Sequence, residues 1–134
     1  MELTEEQIKT LVRAAEIGLA GKRVQVYEEI YYKDSASAGT NTKDFTRCDS
    51  GKIRVITHIA ALNGTSSSTF IKLCHINGGQ TGIDKVGVAP LIGETVNWDG
   101  FMILGEGNYS EVLWLGCTSG DDLYAVVSGY EITK

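Results

Sequence analysis

The spacing of hydrophobic residues changes once along the chain. Ile8, Leu11, Val12, Ala15 and Leu19 recur three and four apart, which sets them on one stripe of a helix with Lys9, Arg13 and Glu16 on the other side. Thr4-Glu5-Glu6-Gln7 forms a capping box, in which Thr4 and Gln7 satisfy each other's backbone N–H, and Gly21 is a stop signal. The pattern predicts one helix over residues 4–20, its stripe covered by the domain's own sheet or else by a neighbouring subunit. Beyond it the period falls to two. From Arg23 to Tyr32 Val24, Val26 and Ile30 are expected on one face of a strand, and Gln25, Tyr27, Glu29 and Tyr31 on the other.

Residues 33–44 hold nothing apolar larger than alanine, which predicts an exposed loop suited to partner contacts. Lys52 to Asn63 and Thr69 to Asn77, parted by a Gly/Thr/Ser run, read as a hairpin. Their apolar residues fall on adjacent as well as alternate positions, as in strands covered on both sides, by a second sheet and by a helix or another subunit. In Val86 to Leu104 the sole proline, Pro90, precedes two turn signals, Gly93-Glu94 and Asp99-Gly100, so the chain is expected to reverse at Asp99-Gly100. Tyr109 to Thr118 and Leu123 to Ile132 complete the set, with Gly129 marking a bulge or a close backbone approach. Seven to eight short strands without helical crossovers predict an all-β fold: an antiparallel β-sandwich of jelly-roll type with one N-terminal α-helix.

Composition narrows the function classes. At 134 residues the chain fits one domain over 1–134, in which 43% hydrophobic and 22% charged residues are enough for a packed core. The formal charge of −5 argues against neutralising nucleic-acid phosphates. No apolar run is long enough to span a membrane, and the acidic start (Glu2, Glu5, Glu6) is unlike a secretory signal, so synthesis and folding in the cytosol are expected. Cys48, Cys74 and Cys117 are odd in number and far apart, so no disulfide framework is expected, and Cys74 and Cys117, inside apolar strands, are expected as small buried hydrophobes.

Candidate chemistry is sparse. Cys74-His75 juxtaposes a thiol and a base, but neighbours in a strand point to opposite faces, which leaves His58 as the one group able to reach either across the expected hairpin. Zinc-type spacing, a phosphate loop and a serine elbow are absent, and Asp99, Asp121 and Asp122 are read as turn formers before calcium ligands. No enzyme activity, metal or cofactor is therefore expected. Trp98, Trp114, Tyr31 and Tyr32 could line a sugar platform, with Trp98 as the candidate ligand-facing aromatic, although aromatics in strands more often belong to a core or an interface.

The succession Val55–Asn63 (VITHIAALN), a Ser/Thr turn, an apolar strand, Pro90–Gly100 (PLIGETVNWDG), Ile103–Gly107 (ILGEG) and Val126–Thr133 (VVSGYEIT) resembles small β-sandwich virion proteins of tailed bacteriophages and prophages. These are capsid decoration, head-fibre-base or tail accessory subunits. The likeness covers about Gly51 to Thr133, and Gly105-Glu106-Gly107-Asn108 stands where that group usually has a Gly-Asp turn. The resemblance implies a structural virion protein, made in the bacterial cytoplasm, that binds the major capsid protein or a tail component and forms a homo-oligomer, a trimer. A carbohydrate- or receptor-binding tail module is the alternative. On this view the body over 51–133 supplies rigidity. Attachment falls to the N-terminal region, with Ile8, Leu11, Val12, Ala15, Leu19, Tyr31 and Tyr32 as the assembly interface and Met1 to Gly21 dispensable for folding.

Overall fold

The computed structural model describes residues 3–16, 23–66, 69–77 and 83–134. Helix α1 (Glu5–Glu16) starts at the expected box: the Thr4 N–H donates to Gln7 Oε1 at 2.8 Å and the Gln7 N–H to Thr4 Oγ1 at 3.2 Å. Leu19 and the stop at Gly21 lie outside the described residues. Eight strands follow: β1 (Val24–Lys33), β2 (Gly39–Asp44), β3 (Lys52–Asn63), β4 (Phe70–Ile76), β5 (Ile83–Val88), β6 (Val96–Leu104), β7 (Tyr109–Cys117) and β8 (Leu123–Thr133). They form two four-stranded antiparallel sheets in the orders β1-β8-β3-β6 and β2-β7-β4-β5. Only β4 and β5 are both consecutive and paired; every other connection crosses between the sheets, which is the jelly-roll arrangement.

Four local expectations are corrected by that topology. β3 and β4 are not a hairpin, because they lie in opposite sheets. The chain does not reverse at Asp99-Gly100; β6 runs straight through, with a register shift against β3 between Ile56 and His58. Glycine is needed at position 100 for another reason, since a Cβ there would sit 2.5 Å from the Trp98 ring. The stretch 33–44 is not all loop: Gly39–Asp44 is β2, whose polar residues suit an edge strand laddered to β7. The sandwich body likewise begins at β1 rather than at residue 51, because β8 is held between β1 and β3 along its whole length.

The core lies between the inner faces. Tyr27, Ile56, Ile59, Ala61, Leu104, Leu123 and Val127 of one sheet meet Ile71, Leu73, Val112 and Trp114 of the other, and the Trp114 Nε1–H donates across to the Leu62 carbonyl at 3.2 Å. A second, smaller cluster lies on the outer face of the β1-β8-β3-β6 sheet. There Ile8 and Val12 of α1 are buried on Val24, Ile53, Val55 and Ile132, with Leu11 and Ala15 packed at the margin. Of the two covers expected for the helix stripe, the chain's own sheet is the one it takes. Each buried aliphatic side chain stabilises by about 1.5–3 kcal/mol, so α1 is part of the chain's own packing and its stripe is not a free surface.

Buried polar groups close both ends of the sandwich. At one end the Asn63 amide donates to Thr69 Oγ1 (2.7 Å) and Asp121 Oδ2 (2.9 Å) and accepts from the N–H groups of Thr65 and Ser66. At the other the Arg54 guanidinium, 3% exposed, donates to Glu131, the Thr46 carbonyl and the Arg47 carbonyl, and lies 4.0 Å over the Tyr27 ring.

Gly129 is the tightest point of the sheet. A Cβ at this position would fall 1.8 Å from the Val55 carbonyl oxygen, so β3 and β8 cannot keep their present spacing with any other residue there. Gly129→Ala is expected to cost at least ~3 kcal/mol in urea denaturation, at the upper end of overpacking effects.

Candidate assembly surface

The outer face of the β1-β8-β3-β6 sheet is divided into three bands by strand register. The first holds Val24, Ile132, Ile53, Tyr130, Val55 and Ile103 in two cross-strand rows, and α1 lies on it. The second is polar: Glu28, Ser128, His58 and Asp99 stand in register from β1 to β6. The third is apolar again, with Ile30, Val126 and Ala60 in one row and Tyr32, Tyr124 and Leu62 in the next. Among the described residues no element covers this third band. It holds a shallow groove of about 420 Å³ lined chiefly by Ile30, Ala60, Leu62, Thr95, Tyr124 and Val126.

Aromatic stacking shapes one end of this band. Tyr32 and Tyr124 stack at 4.6 Å, both partly open to solvent. The hydrogen bond with Tyr124 is the main reason the Tyr32 hydroxyl is pushed up to about 12. Tyr31 points the other way, because adjacent strand residues alternate. Its ring packs on the core 5.9 Å from Trp114, with the Lys43 ammonium over it. Trp98 also faces inward, half-buried against the core with its ring 5.1 Å from His75. Trp98, Tyr31 and Tyr32 therefore do not share one shallow surface. The expected aromatic platform is replaced by the Tyr32–Tyr124 pair, whose cross-strand pairing the sequence does not display.

The groups singled out for chemistry are separated. His58 lies on the outer face of one sheet, its Nδ1 2.7 Å from Asp99 Oδ1, whereas Cys74 and His75 belong to the other sheet. Ser128 stands opposite His58, which puts a hydroxyl, an imidazole and a carboxylate in one row, yet no hydrogen bond joins Ser128 to His58 among the described residues. A nucleophile needs that bond to its base. The Cys74 thiol donates to Asp84 Oδ1 at 3.1 Å, and burial, then this bond, push it up to about 12, far from a reactive thiolate. Cys48 and Cys117 are also free and buried, the small-hydrophobe role expected for Cys117. Asp121 serves structure: its Oδ2 accepts from Asn63 and from the Thr118 N–H, a closed set of partners inside the protein. Among the described residues no three His, Cys, Asp or Glu side chains gather as a metal site, and no helix is long and apolar enough to cross a membrane.

Two titratable groups, one buried and one half-buried, act in opposite directions. His75, wholly buried with Nδ1 3.0 Å from Ser110 Oγ, is pushed down to about 4 by burial and then by Lys85. Glu111 on β7 faces Asp44 on the edge strand β2 and is pushed up to about 7, first by burial and then by that carboxylate.

No family model matches this chain, and no curated protein does. Solved structures with a similar fold include a chain from Bacillus endospore appendages, described as disulfide-linked pili, at 11% identity over 82% of this chain and 88% of that one, with a TM-score of 0.49. A chain of infectious bursal disease virus Gx strain has 10% identity over 84% of this chain and 32% of that one, TM-score 0.42. The Drosophila NLP-core, described for pentamer formation and histone binding, has 19% identity over 79% and 97%, TM-score 0.37. The jelly-roll assignment rests on the strand order itself.

The Glu111 shift gives stability a pH dependence of definite sign. A carboxyl raised to about 7 contributes fully below the ordinary carboxylate range and loses that contribution as pH rises through about 7. A histidine lowered to about 4 contributes fully only well above 6.5 and loses its contribution as pH falls toward 4, so the two oppose each other, and from pH 6.5 to 8 the Glu111 change is the larger. Chemical denaturation should show the parent losing about 0.5 kcal/mol relative to Glu111→Gln over that interval, allowing for partial exposure.

Proposed function

We propose that this chain is a non-enzymatic structural subunit that works by protein–protein contact in a multi-copy assembly, and specifically an accessory subunit on the capsid of a tailed phage or prophage, as decoration or fibre base. The observation that carries the reading is the uncovered apolar band around Ile30, Leu62, Tyr124 and Val126, beside a band of like character already covered by α1. A contiguous apolar patch on a sheet face is what a partner surface covers. The phage placement is supported by the resemblance of Gly51 to Thr133 to virion sandwich proteins. A structural rather than catalytic role is supported by the separation of His58 from Cys74 and by the inert state of that thiol. The rival reading, a carbohydrate- or receptor-binding tail module, draws on the exposed Tyr32–Tyr124 pair, since a tyrosine face can stack on a sugar ring.

Two measurements separate these readings. Particles induced from the lysogen that encodes the chain, banded on a density gradient, should carry it, and Tyr124→Glu should release it from the band while leaving the far-UV circular dichroism of the purified chain unchanged. Absence of the wild-type chain from the particle band overturns the virion reading. On a glycan array the expected result is no binding; a signal abolished by Tyr124→Ala would establish the rival.

A further inference from the structure

Each sheet has two edges, and three of the four are interrupted. β2 is six residues long, ends in Lys43-Asp44, and has a register shift against β7 between Gly39 and Asn41. β5 is also six residues long, carries Asp84 and Lys85, and is shifted against β4 at Leu73/Cys74. β6 is shifted against β3 at Ile56/His58. Bulges, short length and charges of this kind stop a further strand from adding to a sheet. β1 has none of the backbone devices. Its ten residues pair with β8 without a shift, it contains no proline, and among the described residues no backbone hydrogen bond reaches its far side. Three of its outward side chains are apolar and open, Val26 at 79% exposed, Ile30 at 75% and Tyr32 at 52%, with Glu28 standing among them.

We propose that β1 pairs antiparallel, edge to edge, with β1 of a second copy of this chain, about a two-fold axis at Ile30. Charge excludes two registers, and of the open apolar residues Val26, Ile30 and Tyr32 a centre on Ile30 gives the longest paired stretch, 27–33. A two-fold axis through an antiparallel pair must pass beside one residue, which then faces its own copy. Centred on Glu28 or Glu29, it would set two carboxylates against each other, which is unfavourable directly across strands. Centred on Ile30, it places Ile30 on Ile30, Tyr32 opposite Glu28, and Lys33 opposite Tyr27 and diagonal to Glu29 of the second copy. No like charges then face each other along the strand. The acidic centre and basic end of β1 are thereby complementary to themselves, as an isologous contact requires. Pairing also joins the two uncovered apolar bands into one surface across six strands.

The inference rests on the assembly reading for its use, but its test needs no particle. Light scattering on the eluting full chain should give twice the 14.5 kDa chain mass. Ile30→Lys sits on an exposed side chain and should halve that mass with unchanged circular dichroism. Ile30→Cys should form a disulfide between copies on mild oxidation, whereas the parent, whose three cysteines are buried, should not. A one-copy mass for the parent, as expected if β1 instead receives a strand from another protein, overturns the proposal. So does a three-copy mass, which would favour the trimer, a two-copy mass indifferent to Ile30→Lys, or an Ile30→Cys chain that does not cross-link. A chain that dimerises through Ile30 but is absent from particles keeps this inference and loses the virion reading.

Discussion

The fold depends on the burial of one amide–carboxylate pair, Asn63 with Asp121. Four connections cross between the sheets at that end, and all of them are tied to these two residues or to their backbones. The β3–β4 crossing is held by Thr65, Ser66 and Thr69 on the Asn63 side chain, and the β7–β8 turn by the Thr118 N–H on Asp121. The β5–β6 turn reaches the Asn63 carbonyl through the Gly93 N–H, and the β1–β2 loop reaches the Asp121 carbonyl through the Ala36 N–H. A chain leaving one sheet for the other loses its ladder partners. Each buried group left unpaired would cost about 1–3 kcal/mol, so a shared polar knot lets four crossings stay compact. Arg54 does the corresponding task for the loop after β2 at the opposite end.

These two knots were the least legible part of the sequence. Asn63 sits at the end of an apolar run and Asp121 in a turn, where either residue type is ordinary; what distinguishes them is a set of neighbours tens of residues away. Arg54 likewise looks like an outward charge on a strand, and only the crossing of the 45–51 segment over it supplies its carbonyl partners. The local signals were legible where local physics decides: the Thr4/Gln7 box, the last two strands, the close approach at Gly129, and the burial of Cys74 and Cys117. They misled where a long-range partner decides. Asp99-Gly100 has turn chemistry, yet the ladder to β3 and the Trp98 ring over Gly100 keep the strand straight. Gly39–Asp44 has loop chemistry, yet β7 offers it a ladder.

The helix shows the same division. Its stripe was readable, and so was the need for an apolar cover; which surface it covers was fixed only by the adjacency of β1, β8 and β3. Once α1 is seated, the polar row Glu28–Ser128–His58–Asp99 marks where its cover ends. The face beyond that row is what remains for contact with other molecules, and its central residues come from β8 and β3, the best-anchored strands of the sheet. A docking patch on such strands is rigid before it binds, which lowers the ordering cost of association.

The pairing of Val24 with Ile132 has a bearing on how the protein is made. The first strand of the fold closes on its last one, and α1 seats partly on Ile132. On the ribosome, therefore, the amphipathic helix and the bare β1 strand emerge well before the surface that will shield them, and must wait through most of translation without it. Sheets closed by such distant partners form slowly and leave sticky intermediates exposed. The nascent chain is thus a natural client for chaperones that hold exposed apolar segments, released only when β8 arrives to complete the layer.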